Sequence, residues 1–204
     1  MDNERLTQKN IDPELTADDI KTFERYYPNG ELGSISLESV PDDIVAFFVR
    51  FDNRNPPNDT LPEDFKLLCI QHDNQDTTYI AKHFKTFENT GDTEEITLIA
   101  DMRDNDRIGY AELRYNTNPH EFYRDKPFIG SINTDPEVRR TGLGTRRIKL
   151  MNALCRMQYG NPLYSDTVNS SLMIATWEKL VETGYARKFK VDEKYDRYVF
   201  IDNK

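Results

Sequence analysis

The chain has 204 residues and a mass of 23.9 kDa, room for one domain or a domain with an extension and a squeeze for two. Hydrophobic residues make up 37% and charged residues 31%, which supplies a core and excludes disorder throughout, although mean hydropathy is low at −0.78. No run approaches the roughly 18 apolar residues of a membrane helix, and residues 1–10 lack the basic start and apolar stretch of a signal peptide. A soluble, untargeted, cytoplasmic chain with no membrane partner is the expectation.

Two cysteines, Cys69 and Cys155, and three scattered histidines, His72, His83 and His120, build neither a disulfide framework nor a metal knuckle, so no metal site is expected. A net charge of −9 argues against a nucleic-acid binder, which needs a basic surface. The excess acid is confined to residues 1–90, with nine Lys+Arg against eighteen Asp+Glu, while residues 91–204 hold eighteen of each. This divides the chain into an acidic N-terminal segment, 1–90, helical with short strands and packed on the remainder, and a core, 91–204. The acids are solvated or offered to a basic protein acceptor.

In chain order, residues 15–27 (LTADDIKTFERYY) predict a helix, with Thr16 as N-cap, Asp18 and Asp19 in the first turn, and Ile20, Phe23 and Tyr27 on one stripe. A second helix starts at Pro41 (PDDIVAFFVRF) and ends before Asn53, where NRNPPNDTLP reads as loop. Residues 65–71 and 78–87 are short apolar runs that suit strands. The alternation then sharpens into a hairpin, EEITLIADM and RIGYAELRY about the polar turn RDND, followed by a strand KPFIGSINT. A long helix to about Tyr159, a short strand PLYS, a helix from about Ser170 to Thr183 and two terminal strands, ARKFKV and RYVFI, complete the chain. In the long helix Arg146, Lys149, Ala153 and Arg156 form the outer side, with Leu150, Leu154 and Met157 inward.

The chemistry is concentrated in residues 135–147, DPEVRRTGLGTRR, where a strand passes through Pro136 into Arg139-x-x-Gly142-x-Gly144 and directly into a helix. Glycines let backbone approach a ligand, and first-turn amides with the helix dipole form an anion site. Between Val138 and Ser165 stand six bases, Arg139, Arg140, Arg146, Arg147, Lys149 and Arg156, and no acid, which points to a polyanionic ligand. A dinucleotide fold is excluded by Arg147 at the third-glycine position and by the antiparallel hairpin upstream, despite Asp166 at the ribose-acid spacing. There is no Gly-Lys-Ser/Thr phosphate loop. Residues 101–112 fail as a calcium loop because Arg103 occupies a ligand position and Asp106 the required glycine.

Pro136-x-x-Arg139-x-x-Gly142-x-Gly144 after a strand and before a helix resembles the GCN5-related N-acetyltransferases, and the order of elements over residues 93–202 resembles theirs too. The resemblance implies an α+β fold, a three-layer α/β/α arrangement with a mixed, mostly antiparallel central sheet splayed between two strands. It implies acetyl-CoA as acyl donor, its diphosphate on the amides of Arg140, Thr141, Gly142, Leu143, Gly144 and Thr145, with Val138 and Arg139 also binding the cofactor. Pantetheine would lie as an extra strand beside Ile132 and Thr134 and touch Asn169 or Ser170, with an amide near Asn133 or Thr134 polarising the thioester. The acceptor is an unspecified primary amine. Base candidates are Glu112, Asp135 and Glu137. Trp177 stands where the family often has an acidic tyrosine, leaving Tyr164, Ser165 or water to protonate the thiolate. Two other readings follow: a binding or structural module of this fold that has lost catalysis, and acyl transfer to a nucleobase, which the net charge disfavours.

Overall fold

The computed structural model describes residues 31–35, 40–52, 67–71, 76–87, 92–116, 125–166, 170–191 and 196–201. The helix expected over residues 15–27 and the pantetheine contact expected at Asn169 lie outside them. Six antiparallel strands run in sequence order: β1 (Glu31–Ile35), β2 (Leu67–Gln71), β3 (Thr77–Phe87), β4 (Asp92–Arg103), β5 (Asp106–Asn116) and β6 (Phe128–Thr134). Nearest-neighbour pairing of this kind follows from short connections such as the β4–β5 turn, where Asp104 and Asn105 both adopt positive φ, 49° and 71°. Asp and Asn tolerate that region best among residues with a side chain. A second ribbon pairs β7 (Ala186–Lys190) with β8 (Asp196–Phe200).

Side chains alternate across the sheet and feed two separate cores. On one face Leu67, Cys69, Tyr79, Leu98 and Ala100 meet Ile44, Phe47 and Phe48 of helix α1 (Asp42–Asp52), an i, i+3, i+4 stripe that explains why this segment is a helix. The other face presents Ile70, Ile80, Ile99, Ala111, Leu113 and Ile129 to helices α2 (Leu143–Tyr159) and α3 (Ser171–Glu182). The result is an α/β/α sandwich. Among the described residues, no helix is long and apolar enough to cross a membrane.

Helix α2 is central: ten of its seventeen residues are buried. Ala153 is among them, so the predicted outer side of this helix is narrower than expected, because the helix packs against both the sheet and α3. Helix α3 buries Trp177 and Leu180 and half-buries Met173 and Val181, whereas Leu172 is 48% exposed and Ala175 is also exposed. The inward stripe is thus 173, 177, 180, 181, a helical spacing rotated from the one anticipated. Strand β1, with Gly33 and Ser34 in a five-residue span, carries no apolar alternation and is unannounced in the sequence.

PLYS is shorter than a strand. Only Tyr164 forms bridges, parallel to Phe128 of β6 and antiparallel to Val199 of β8. Its amide donates to Pro127 O at 2.9 Å and its carbonyl accepts from Ile129 N at 3.1 Å. This one residue joins the six-stranded sheet to the β7–β8 ribbon.

Candidate functional site

The flank of β6 beyond Phe128 is the first element of the site. Among the described residues no strand pairs with it there, so β6 and the segment carrying Leu163, Tyr164 and Ser165 diverge from a closed end at Phe128–Tyr164. A bulge sets the direction of the backbone. Glu112 pairs with Ser131 but Leu113 with Ile129, so Gly130 is the extra residue. A Cβ there would come within 2.2 Å of Arg114 Nε, which is why glycine occupies it. Asp135 N donates to Ile108 O at 3.0 Å, so residues of that parity, Asn133 included, turn their amides toward β5, while Ile132 and Thr134 turn theirs to the open flank. Of the amides expected to reach a thioester, that of Thr134 faces the slot and that of Asn133 does not.

At the far end of β6 the chain makes the predicted turn. Asp135 Oδ1 accepts from Glu137 N at 3.4 Å and caps the short turn Pro136–Val138. Thr141 Oγ1 donates to Val138 O at 2.8 Å, and Arg139 Nε donates back to Thr134 O at 3.0 Å. Gly142 is the N-cap of α2, left-handed at φ 94°, a conformation that favours glycine. No side chain caps the helix and no acid lies in its first turn. The first backbone bond there is Arg146 N to Gly142 O at 2.9 Å, so the amides of Leu143, Gly144 and Thr145 precede the hydrogen-bonded ladder. The space that a side chain on Gly144 would fill has nothing within 4 Å. These features suit a small polyanion.

The six bases do not form one anion surface, which corrects the expectation built on them. Arg147 is wholly buried: its Nε bonds Asp101 Oδ2, and its NH1 donates to Asn133 O at 2.6 Å and Thr134 Oγ1 at 3.1 Å. Arg146 pairs with Asp76 at 3.2 Å, beside the Arg103–Asp76 pair at 2.8 Å. Lys149 lies over the ring of Tyr185, 4.3 Å from its centroid. Arg139 braces the turn, and Arg140, with φ 66°, is exposed. Acids more than forty positions upstream neutralise the pair Arg146 and Arg147, which no local charge count reveals.

Helix α2 also holds the opposite wall. Buried Asn152 accepts from Leu163 N at 3.1 Å through its Oδ1. Its only sequence signal is a polar residue among Leu150, Met151, Ala153 and Leu154. Ser165 is spent on β8, accepting from Tyr198 N at 2.9 Å, and Ser170 is the N-cap of α3, accepting from Met173 N at 3.5 Å.

Among the acid–base candidates, Asp135 and Glu137 are exposed turn residues. Glu112 is 4% exposed and bonded to Arg114 at 2.7 Å, which also reaches the buried Glu94 at 3.6 Å. Tyr110, Glu112, Ser131 and Asn133 occupy one face of β5 and β6 by register, the α1 face, with Glu112 and Ser131 opposite each other at the bulge. Tyr164 stands at the closed end of the slot, its ring edge-on to Phe189 with centroids 6.4 Å apart. Trp177 is fully buried and stacked on Tyr198, with ring centroids 5.4 Å apart. It packs the core.

No protein-family model and no curated protein matches the chain. Among solved structures, it is similar to a putative streptothricin acetyltransferase from Bacillus anthracis str. Ames in complex with acetyl coenzyme A, at 13% identity and a TM-score of 0.38, covering 84% of this chain and 97% of that one. Likeness at that level carries no argument about the site, whose reading rests on this chain's own residues.

Proposed function

We propose that the chain binds an acyl-coenzyme A and transfers the acyl group to a primary amine, the activity of the GCN5-related N-acetyltransferases that its Pro136–Gly144 string resembles. One observation carries the reading: an uncapped helix N-terminus stands at the open mouth of a slot beside β6, at the opposite end of that strand from Tyr164 and the bulge. The intervening six residue steps span about 20 Å, room for an extended chain joining a diphosphate to a reacting end.

In this reading the amides of Leu143, Gly144 and Thr145 take the diphosphate charge, with Arg140 at the rim. The Thr134 amide and the Ile132 amide and carbonyl hydrogen-bond the linker as an added strand would. Acetyl-coenzyme A supplies a thioester activated for attack. The amine nitrogen bonds to the acyl carbon as the carbon–sulfur bond breaks, and an amide of β6 steadies the oxygen as it gains charge. Glu112 takes the proton lost by the amine, and the Tyr164 hydroxyl gives one to the departing sulfur.

The binding half is tested by calorimetric titration. Acetyl-CoA and CoA are expected to bind, and Gly142→Asp to abolish binding by placing a carboxylate and a side chain in the anion turn; no binding by the wild-type chain at millimolar ligand overturns the reading. The chemical half is tested by thiol release with a panel of polyamines, amino acids, aminoglycosides and lysine peptides. Glu112→Gln is expected to lose about 100-fold, the usual scale of a general base. A second reading, a module that binds the cofactor without turning it over, is favoured by the Glu112–Arg114 ion pair and the buried Trp177. Tight CoA binding with no thiol release across the panel selects it.

A further inference from the structure

A polar row crosses four strands beneath the first turns of α2. Thr78 of β3 pairs with Asp101 of β4, Asp101 with Gly109 of β5, and Gly109 with Thr134 of β6. Arg147 lies along this row. Its guanidinium bonds Asp101 on one side, and on the other the Asn133 carbonyl at 2.6 Å and Thr134 Oγ1 at 3.1 Å. Asp101 is completed by the Thr78 hydroxyl at 2.5 Å. Gly109 is there to make room: a Cβ would lie 2.1 Å from Arg147 NH2 and 2.6 Å from Asn133 O. Thr78, Asp101 and Arg147 are each 0–1% exposed, so the row is built at the cost of taking a charge pair out of water, which hydrophobic residues of similar volume often match or improve upon. Stability alone is a weak account of it.

Its geometry supplies a better one. A planar guanidinium makes divergent bonds in a fixed fork, and here the fork joins the helix whose N-terminus forms the anion turn to the two residues that end β6. We propose that Arg147 is a positioning residue that sets the spacing and angle between the anion turn and the open edge of β6, so that one extended ligand engages both at once. The proposal rests on the acyl-CoA reading above. Without Arg147 NH1, each half-site persists but the two are no longer in register, and the gain from linking them in one ligand is lost.

The test compares two ligands on the wild type and on Arg147→Lys, which keeps a charge for Asp101 but cannot fork to Asn133 and Thr134. The ligands are 3′-phospho-ADP, the nucleotide half, and whole CoA. In the wild type CoA binds more tightly than the fragment. In Arg147→Lys the fragment's affinity stays within about twofold while that of CoA falls about tenfold, closing the gap. An equal fall for both ligands, or no change in either, overturns the proposal while leaving the acyl-CoA reading intact. A wild-type chain that binds neither ligand overturns both together. Should Arg147→Lys fail to fold, Thr134→Val removes a single acceptor without altering shape, and the ratio is expected to narrow about threefold; an unchanged ratio overturns the proposal.

Discussion

Two charge clusters in this molecule have similar composition and opposite surroundings. Beneath α2, Asp76 and Asp101 hold Arg103, Arg146 and Arg147, with both carboxylates and Arg147 out of reach of water. Between α3 and the β7–β8 ribbon, Glu178 and Asp196 hold Lys188 and Lys190 at 2.7–2.9 Å, each side chain about a third exposed or more. Short distances in both conceal different energetics. In the first cluster Asp76, Asp101 and Arg147 depend on their partners, since an unpaired ion at those positions has no solvent to fall back on. In the exposed one water and salt replace any partner that leaves. Distance therefore says little about what a pair contributes until its access to water is known.

The largest break in that comparison is Asp101→Ala. Removing the carboxylate leaves Arg147 charged and buried, and a loss of about 3–5 kcal/mol is expected in urea unfolding. A loss below about 1 kcal/mol would place Asp101 with the surface acids. Next comes a pH series on the ribbon. Burial and the Glu178 carboxylate, to which its hydroxyl donates, push the Tyr198 phenol up to about 12 from its usual 10. A raised folded-state value gives stability that is complete below pH 10 and lost as pH climbs toward 12. The unfolding midpoint is expected to fall over that window, and less steeply in Tyr198→Phe; identical slopes in the two proteins count against it. Hydrogen bonds from Lys188 and Tyr198 hold the Glu178 carboxyl below the ordinary range, so its support persists at neutral pH and disappears only as pH drops through that depressed value. Lys188→Ala is the smallest change: a midpoint shift of about 2 °C or less, fading with added salt. A larger, salt-insensitive shift would show that this surface network behaves like the buried one.

The same contrast explains which features were legible in the sequence. Helix α1, the β4–β5 hairpin, α2 and the β7–β8 ribbon follow from periodicity, turn residues and flanking glycines, all local signals. The Gly142 turn was legible because φ 94° and an uncapped helix start both have a residue-level signature. Arg147 was misread as ligand-facing because its partner Asp101 lies 46 positions away, and burial of a charge depends on such distant partners. Tyr164 was read within a strand because PLYS has strand composition, whereas the two walls separate after a single bridge. Asn152 went unremarked because one amide in an apolar helix face resembles a tolerated exception until the Leu163 amide is seen against it.

Gly130 gives β6 a change of phase. Ile129 and Ile132 are three residues apart, an odd interval that in an unbroken strand assigns two side chains to opposite faces, yet both pack toward α2 and α3. The extra residue resets the count, and the backbone resets with it: the Ile129 amide, spent on Tyr164, and the amides of Ile132 and Thr134 all look out along the same edge. Were Gly130 paired opposite Glu112 in a regular ladder rather than bulged, the polarity of everything after it would reverse, turning the amides of Ile132 and Thr134 into the sheet and their side chains to the α1 face. The slot would keep its walls and lose its hydrogen-bonding alphabet.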